Sequence, residues 1–159
     1  MKKIALLSVF IICSMEVFSQ EISENAIGLR FGDNNGFGGE ISYQKKLNDQ
    51  NRLEIDLGWR NSNNIDAVKL IGLYQWVWKI EDSFNWYAGV GAGIGSWKTS
   101  NDTNSDKDLF VVASGDIGIE YRFDIPLLIS LDFRPEIGAA GYYENRYGSD
   151  IALALRYRF

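Results

Sequence analysis

Large apolar residues alternate with small or charged residues along most of the chain, with a period of two. The stretch 53–60 reads LEIDLGWR, so that its apolar residues fall on one face and its charged residues and glycine fall on the other. Such alternation is typical of a β-strand, and no stretch after residue 20 shows the 3.6-residue period of an amphipathic helix. Eight such segments are predicted, at about residues 27–32, 37–44, 53–60, 68–80, 86–95, 109–122, 127–134 and 151–159.

The connections between these segments differ in length in a regular way. The sequence DNNG at 33–36 is a strong hairpin signal. Short turns are predicted near 48–51, 82–84 and 123–126, whereas the longest connections, near 98–108 and 138–149, both fall at the opposite ends of the strands. The pattern favours an all-β fold in which eight antiparallel strands form a closed barrel or a sandwich.

Alternation alone leaves open whether the apolar face points to a core or to lipid. The apolar face carries most of the aromatic residues together with many Ile, Leu and Val residues. The interior of an eight-stranded barrel is only just wide enough for modest side chains. The face that is rich in Gly, Ser, Ala and charged residues fits this space, so the sequence predicts a transmembrane up-and-down barrel with its apolar face on lipid.

The aromatic residues also fall at two levels if both termini lie on the periplasmic side. Two such girdles are typical of transmembrane barrels. The predicted outer level contains Phe31, Phe37, Trp59, Trp97, Phe110 and Phe133. The predicted inner level contains Tyr43, Trp78, Trp86, Tyr121, Tyr157 and Phe159.

The N-terminus is predicted to be an export signal. A basic start is followed by an apolar stretch at 4–13 and by a cleavage point with small residues near 17–19. A retained membrane anchor is the alternative, but Glu16 interrupts the apolar run well short of the roughly 20 residues that a spanning helix needs. We therefore expect a cleaved signal peptide over 1–19 and one barrel domain over 20–159.

Composition narrows the chemistry further. The formal net charge is −5, which argues against a nucleic-acid partner. The chain has no histidine, and its one cysteine, Cys13, lies in the predicted signal after Ile12, which is too bulky for a lipoprotein signal. Imidazole-based catalysis, a thiolate nucleophile, a disulfide and Cys/His metal sites are thereby excluded from the mature chain. We expect a protein that is not an enzyme and binds no cofactor.

The strand count, the glycine-alternating stretch 86–95 and the ending IALALRYRF at 151–159 are features of a known family. In these features the chain resembles the small eight-stranded outer-membrane β-barrels of the OmpA/OmpX type over its whole mature length. The resemblance implies a monomer in outer-membrane lipid, with both mature termini in the periplasm. It also implies assembly by periplasmic chaperones and the barrel-assembly machinery, whose C-terminal signal would comprise Leu153, Leu155, Tyr157 and Phe159.

The polar face is predicted to line the lumen, where positive and negative groups nearly balance. Because a buried charge has to be paired, we expect a plug of ion pairs. The alternative is a narrow ion or small-solute channel that opens when the pairs exchange. The predicted network comprises Arg30, Glu40, Glu54, Asp56, Arg60, Lys69, Asp116, Glu120, Arg122, Asp132, Arg134 and Arg156.

A surface function would reside in the long outer connections. The predicted loop at 138–150 carries Tyr142, Tyr143 and Tyr147, and exposed tyrosines are able to anchor an extracellular ligand. They would alternatively extend the outer aromatic girdle. We therefore expect a structural or surface-binding role, such as envelope integrity, adhesion or protection. A secreted lipocalin-like carrier, with the apolar face inside, is the third possibility.

Overall fold

A computed structural model describes residues 22–32, 38–62, 65–99, 108–141 and 146–159, apart from the side chains of residues 60–62, 65 and 99. The predicted signal peptide lies outside these residues, as do Tyr142 and Tyr143. The cleavage point and the domain boundary at residue 20 therefore stay predictions.

Eight strands form one closed barrel. Each strand pairs antiparallel with the next, and β8 pairs with β1 to close the ring. The predicted all-β, eight-stranded antiparallel up-and-down fold is confirmed. In the described residues there is no helix that is long and apolar enough to cross a membrane. The strands are β1 (Asn25–Gly32), β2 (Glu40–Lys46), β3 (Asn51–Ser62), β4 (Ile65–Lys79), β5 (Phe84–Thr99), β6 (Asp108–Arg122), β7 (Leu127–Gly141) and β8 (Tyr147–Arg158).

The last two strands are longer than the alternation predicted. β7 continues through Pro135 to Gly141, and β8 already begins at Tyr147, so most of the second long predicted loop is wrong. Proline has no N–H to donate, and the β6–β7 ladder is interrupted where Pro135 packs on Gly115. The strand nevertheless continues, because Pro135 keeps its register opposite Ser149 on the β8 side.

The two ends of the barrel differ. One end, called the turn end below, carries the short turns at 47–50, 80–83 and 123–126. The first residue of β1 and the residue after β8 also lie at this end, where the Asn25 N–H donates to the Phe159 carbonyl at 3.1 Å. At the opposite loop end the wall is uneven, because β1 and β2 have only 8 and 7 residues whereas β4 has 15 and β5 has 16.

The polarity of the barrel is the reverse of that of a water-soluble protein. Large apolar side chains point outward, and the exposed fractions of Val90 and Leu153 are 56% and 53%. Charged side chains point inward, and Arg30, Arg134 and Arg156 are at most 1% exposed. This arrangement does not fit the third possibility, a lipocalin-like carrier, which requires an apolar interior.

Part of the interior is nevertheless apolar, on the side formed by β4–β6. Glycines of β5 and β6 make room there, since a Cβ at Gly95 would clash with the Phe110 ring and one at Gly118 would clash with the Tyr87 ring. The large apolar side chains that are buried on this side, among the polar ones, are Ile71, Leu73, Val77, Tyr87, Phe110 and Val112.

Two residues of the predicted outer aromatic level are placed differently. Phe110 faces the interior and is 2% exposed, because β6 turns Leu109 and Val111 outward. Trp97 has the same inward parity as Gly95 and is partly buried. Both residues lie near the loop end of their strands, as predicted, but their side chains face the lumen instead of the outside.

Candidate functional site in the barrel lumen

The candidate site is the charged part of the lumen. Successive residues of a strand point to opposite faces, so every second residue of each strand faces inward. The predicted network residues that lie buried inside are Arg30, Glu40, Glu54, Asp56, Lys69, Asp116, Glu120, Asp132, Arg134 and Arg156. Arg60 belongs to β3, but its side chain lies outside the described residues. Arg122 lies at the turn end, where its Nη2 donates to the Asp82 carbonyl at 3.1 Å.

Arg30 on β1 is the first hub of the network. Its Nη1 lies 3.0 Å from Glu40 Oε2 and 2.7 Å from Asp150 Oδ2. Its Nε donates to Asp132 Oδ1 at 3.1 Å. One guanidinium therefore joins carboxylates from β2, β7 and β8, which exploits the planar set of five donors that arginine offers.

Arg134 on β7 is the second hub. Its Nη2 lies 2.7 Å from Asp56 Oδ2 and 3.0 Å from Glu54 Oε1, both on β3. Its Nη1 lies 3.3 Å from Glu40 Oε2. Because Glu40 also binds Arg30, the two hubs share one carboxylate and form a single network across the lumen.

Arg156 on β8 connects this network to two serines. Its Nη2 lies 3.2 Å from Glu54 Oε2. Its Nε donates to Ser42 Oγ at 2.9 Å, and its Nη1 donates to Ser130 Oγ at 2.8 Å. Hydroxyl acceptors satisfy a guanidinium without adding negative charge, so Arg156 needs fewer carboxylates than the two hubs.

Towards the turn end, Gln75 and Arg52 continue the network. Arg52 Nη1 lies 2.6 Å from Glu120 Oε2, and its Nε donates to Gln75 Oε1 at 2.6 Å. The Gln75 amide donates in turn to Glu54 at 3.3 Å and to Asp116. A neutral amide therefore links two acidic side chains that would otherwise repel each other.

Towards the loop end, Lys69 is shared between two carboxylates. Its Nζ lies 3.0 Å from Glu136 Oε1 and 3.9 Å from Glu40 Oε1. Lys69 therefore connects β4 with the same Glu40 that binds both hubs. The charged network thus extends from the loop end to the turn end.

Several network members were missing from the sequence prediction. Arg52 faces the same side of β3 as Glu54 and Asp56, but the predicted strand started at residue 53 whereas β3 begins at Asn51. Asp150 was placed in a loop, although it pairs with Arg134 in the β7–β8 ladder and binds Arg30. The polar residues Gln75, Ser42 and Ser130 carry no charge, and alternation gives no signal that they accept or donate inside the lumen.

Tyr147 and the predicted C-terminal residues lie outside the lumen, whereas Tyr142 and Tyr143 are not among the described residues. Tyr147 is the first residue of β8, opposite Ile137, so its predicted position in a loop is wrong, although its side chain is 69% exposed. The predicted assembly-signal residues Leu153, Leu155, Tyr157 and Phe159 lie on the outward face of β8 or directly after it and are exposed.

The described part of the lumen is dominated by ion pairs and hydrogen bonds between side chains of different strands. Within the described part of the chain, no three Asp, Glu, His or Cys residues are grouped so that they would hold a metal ion. A buried charge without a partner lowers the stability of a protein by several kcal/mol. Each charged side chain in the lumen is therefore tolerated because of its ion pairs. The arrangement cross-links strands on opposite sides of the lumen.

Comparison with solved structures finds the same architecture in other proteins. The N-terminal β-barrel domain of Pseudomonas aeruginosa OprF matches with a TM-score of 0.69 and 12% identity, covering 86% of this chain and 98% of that one. Neisserial surface protein A matches with a TM-score of 0.65 and 9% identity over 85% and 94% of the two chains. This chain has the fold of the small eight-stranded outer-membrane barrels.

A third match is Ail, the attachment invasion locus protein of Yersinia pestis, with a TM-score of 0.54 and 18% identity over 86% of this chain and 97% of that one. No protein-family model matches the chain, and no curated protein matches it by sequence. The likeness therefore concerns the fold, which these sequences reach with few identical residues.

We predict that Arg134→Ala lowers the free energy of unfolding by about 3–5 kcal/mol, because it leaves three buried carboxylates without a shared cation. Unfolding is measured by urea titration of the barrel in lipid vesicles. The matched control is Lys79→Ala, which removes an exposed cation that pairs with Asp82 at 2.8 Å. We expect the control to leave stability unchanged, and equal stabilities of the two variants would contradict the role of the network.

Proposed function

We propose that the chain is an integral outer-membrane β-barrel whose turn end and mature termini face the periplasm. The observation that carries the proposal is the reversed polarity: Arg134 is fully buried in the lumen, while outward residues such as Leu153 are about half exposed. An exterior of this kind is stable in hydrocarbon and unfavourable in water. The fold shared with OprF, neisserial surface protein A and Ail supports the same location.

The role that we propose is structural or surface-binding, without catalysis or a cofactor. The absence of histidine from the chain supports a non-enzymatic role. The names of two structural matches, a surface protein and an attachment protein, favour contact with the exterior. Exposed Tyr147 at the loop end offers one contact point for an extracellular ligand.

Further proposed partners are outer-membrane lipid, the barrel-assembly machinery and periplasmic chaperones. We propose a monomer that binds no nucleic acid.

We also propose that ion pairs plug the lumen. A narrow ion or small-solute channel is the second candidate. One observation favours it: Lys69 lies near both Glu136 and Glu40, so it is placed to exchange one carboxylate partner for the other.

We predict that the purified protein shows no steady conductance in planar lipid bilayers. Reproducible single-channel steps would instead favour the channel.

A second prediction tests the position in the membrane. Leu153→Arg places a charge on the outward face of β8, between Leu131 and Phe31 of the flanking strands. A charge near the bilayer midplane costs about 2–4 kcal/mol in a transmembrane barrel. We therefore expect a strong loss of folded protein after refolding into lipid vesicles, measured by the fraction that becomes resistant to protease.

The matched control for Leu153→Arg is Ile125→Arg. Ile125 is also exposed, at 59%, but it lies in a turn at the turn end, beyond the strands. We expect the control to refold like the unmodified chain. If Leu153→Arg refolds equally well, the outward face of β8 does not meet hydrocarbon and the proposed location is wrong.

A further inference from the structure

Ile22 and Ser23, which precede β1, lie off the barrel wall. The wall begins at Asn25, whose backbone pairs with Phe159, and the Glu24 carbonyl still accepts the Lys46 N–H at 3.0 Å. Ile22, by contrast, packs against Val77 of β4 and Tyr87 of β5. In a ring of eight strands, β4 and β5 lie on the far side from β1, so residues 22–24 cross the mouth of the lumen at the turn end.

The crossing segment covers the last ion pair of the network. Beneath it, Arg52 pairs with Glu120 at 2.6 Å, and Asn85 Nδ2 donates to Glu120 Oε1 at 3.0 Å. Arg52 also lies over the Tyr87 ring, 4.7 Å from its centroid. These charged side chains are at most 4% exposed although they lie at an end of the barrel, next to solvent.

The space between the segment and the ion pair is almost completely filled. The cavity that remains has a volume of about 10 Å³, which is about the space of one water molecule. Ile22 itself is only 6% exposed. The cavity is lined by Ile22, Ser23, Gln44, Arg52, Asn85, Glu120, Arg122 and Leu128.

We propose that residues 22–24 form a stopper that closes the turn end of the lumen to water and solutes, with Ile22 as its apolar seal. The lumen then has two closures in series, the stopper at its mouth and the Arg30–Arg134 network at its centre. Between Gln20 and Asn25, Ile22 is the one apolar residue of the sequence, and its side chain contacts strands to which its backbone is not paired. Ile22 and Ser23 are therefore able to move away from the mouth while the Glu24 carbonyl keeps its hydrogen bond to the Lys46 N–H.

The first test measures how accessible the segment is. The chain after the predicted signal peptide contains no cysteine, so Ile22→Cys and Glu24→Cys each introduce one thiol. Both variants are folded as the full mature barrel in detergent micelles and exposed to a bulky, charged maleimide. We expect the thiol at 24, where the native side chain is 77% exposed, to react about tenfold faster or more than the thiol at 22. Equal rates would overturn the proposal.

The second test measures what the stopper covers. A thiol at Asn85→Cys reports on the cavity, and its reaction rate is compared in the native background, with Ile22→Ser and with Ser23→Ala as the matched control. Loss of one buried aliphatic side chain destabilises the closed position enough for about a tenfold change in rate. We expect that increase with Ile22→Ser and none with Ser23→Ala.

Two results of the second test would contradict the stopper. One is a fast reaction at position 85 already in the native background, and the other is an unchanged slow rate with Ile22→Ser. If Ile22→Ser does not fold, the comparison of positions 22 and 24 decides alone. Both tests use the folded barrel in micelles, so their outcome is independent of the proposed membrane location and surface role.

Discussion

A charge inside a narrow barrel has to find its partner among the other inward-facing side chains, because an eight-stranded wall leaves little room for water. In this protein the requirement is met by arginines that each bind several carboxylates. Arg30 and Arg134 share Glu40, and between them they connect residues of β1, β2, β3, β7 and β8. The network thus takes the place that a hydrophobic core has in a soluble domain, and it ties strands together that are not neighbours in the wall.

The rest of the architecture follows from this use of the interior. Because charged side chains occupy much of the lumen, most large apolar side chains face outward. There they form a belt that is stable in contact with hydrocarbon and unfavourable in water. The side formed by β4–β6 is packed differently, with Ile71 and Tyr87 against glycines of the neighbouring strands. Buried side chains occupy the lumen on both sides, which supports the structural or surface-binding role that we propose over transport of bulky solutes.

Alternation predicted the strands and their two faces, because a shift by one residue would reverse every side chain. The bulk of the apolar face then favoured a barrel with that face on lipid. The same parity placed Arg30, Glu54 and Arg134 in the lumen. It failed at strand ends, where it missed Arg52 and put Asp150 in a loop, since local patterns do not show how far a ladder extends. Pairing with β8 carries β7 past Pro135, which a reading of one strand at a time does not reveal.

Ile22 shows a different limit of the sequence. It is a single apolar residue in a polar stretch, and its burial depends on Val77 and Tyr87, which are distant in sequence and reach it only when the ring closes. The contacts of Gln75 with Arg52 and Glu54 are of the same kind. They depend on the register of strands around the barrel, which no local pattern contains.

A closed barrel that holds its charges inside presents its apolar belt to lipid. The most direct test compares the gel mobility of membrane-fraction protein in detergent before and after boiling. A closed transmembrane barrel stays folded in detergent until it is heated, so we predict two different mobilities and a band that follows the outer-membrane fraction. A single mobility together with protein in the soluble fraction would mean that the apolar face does not meet lipid.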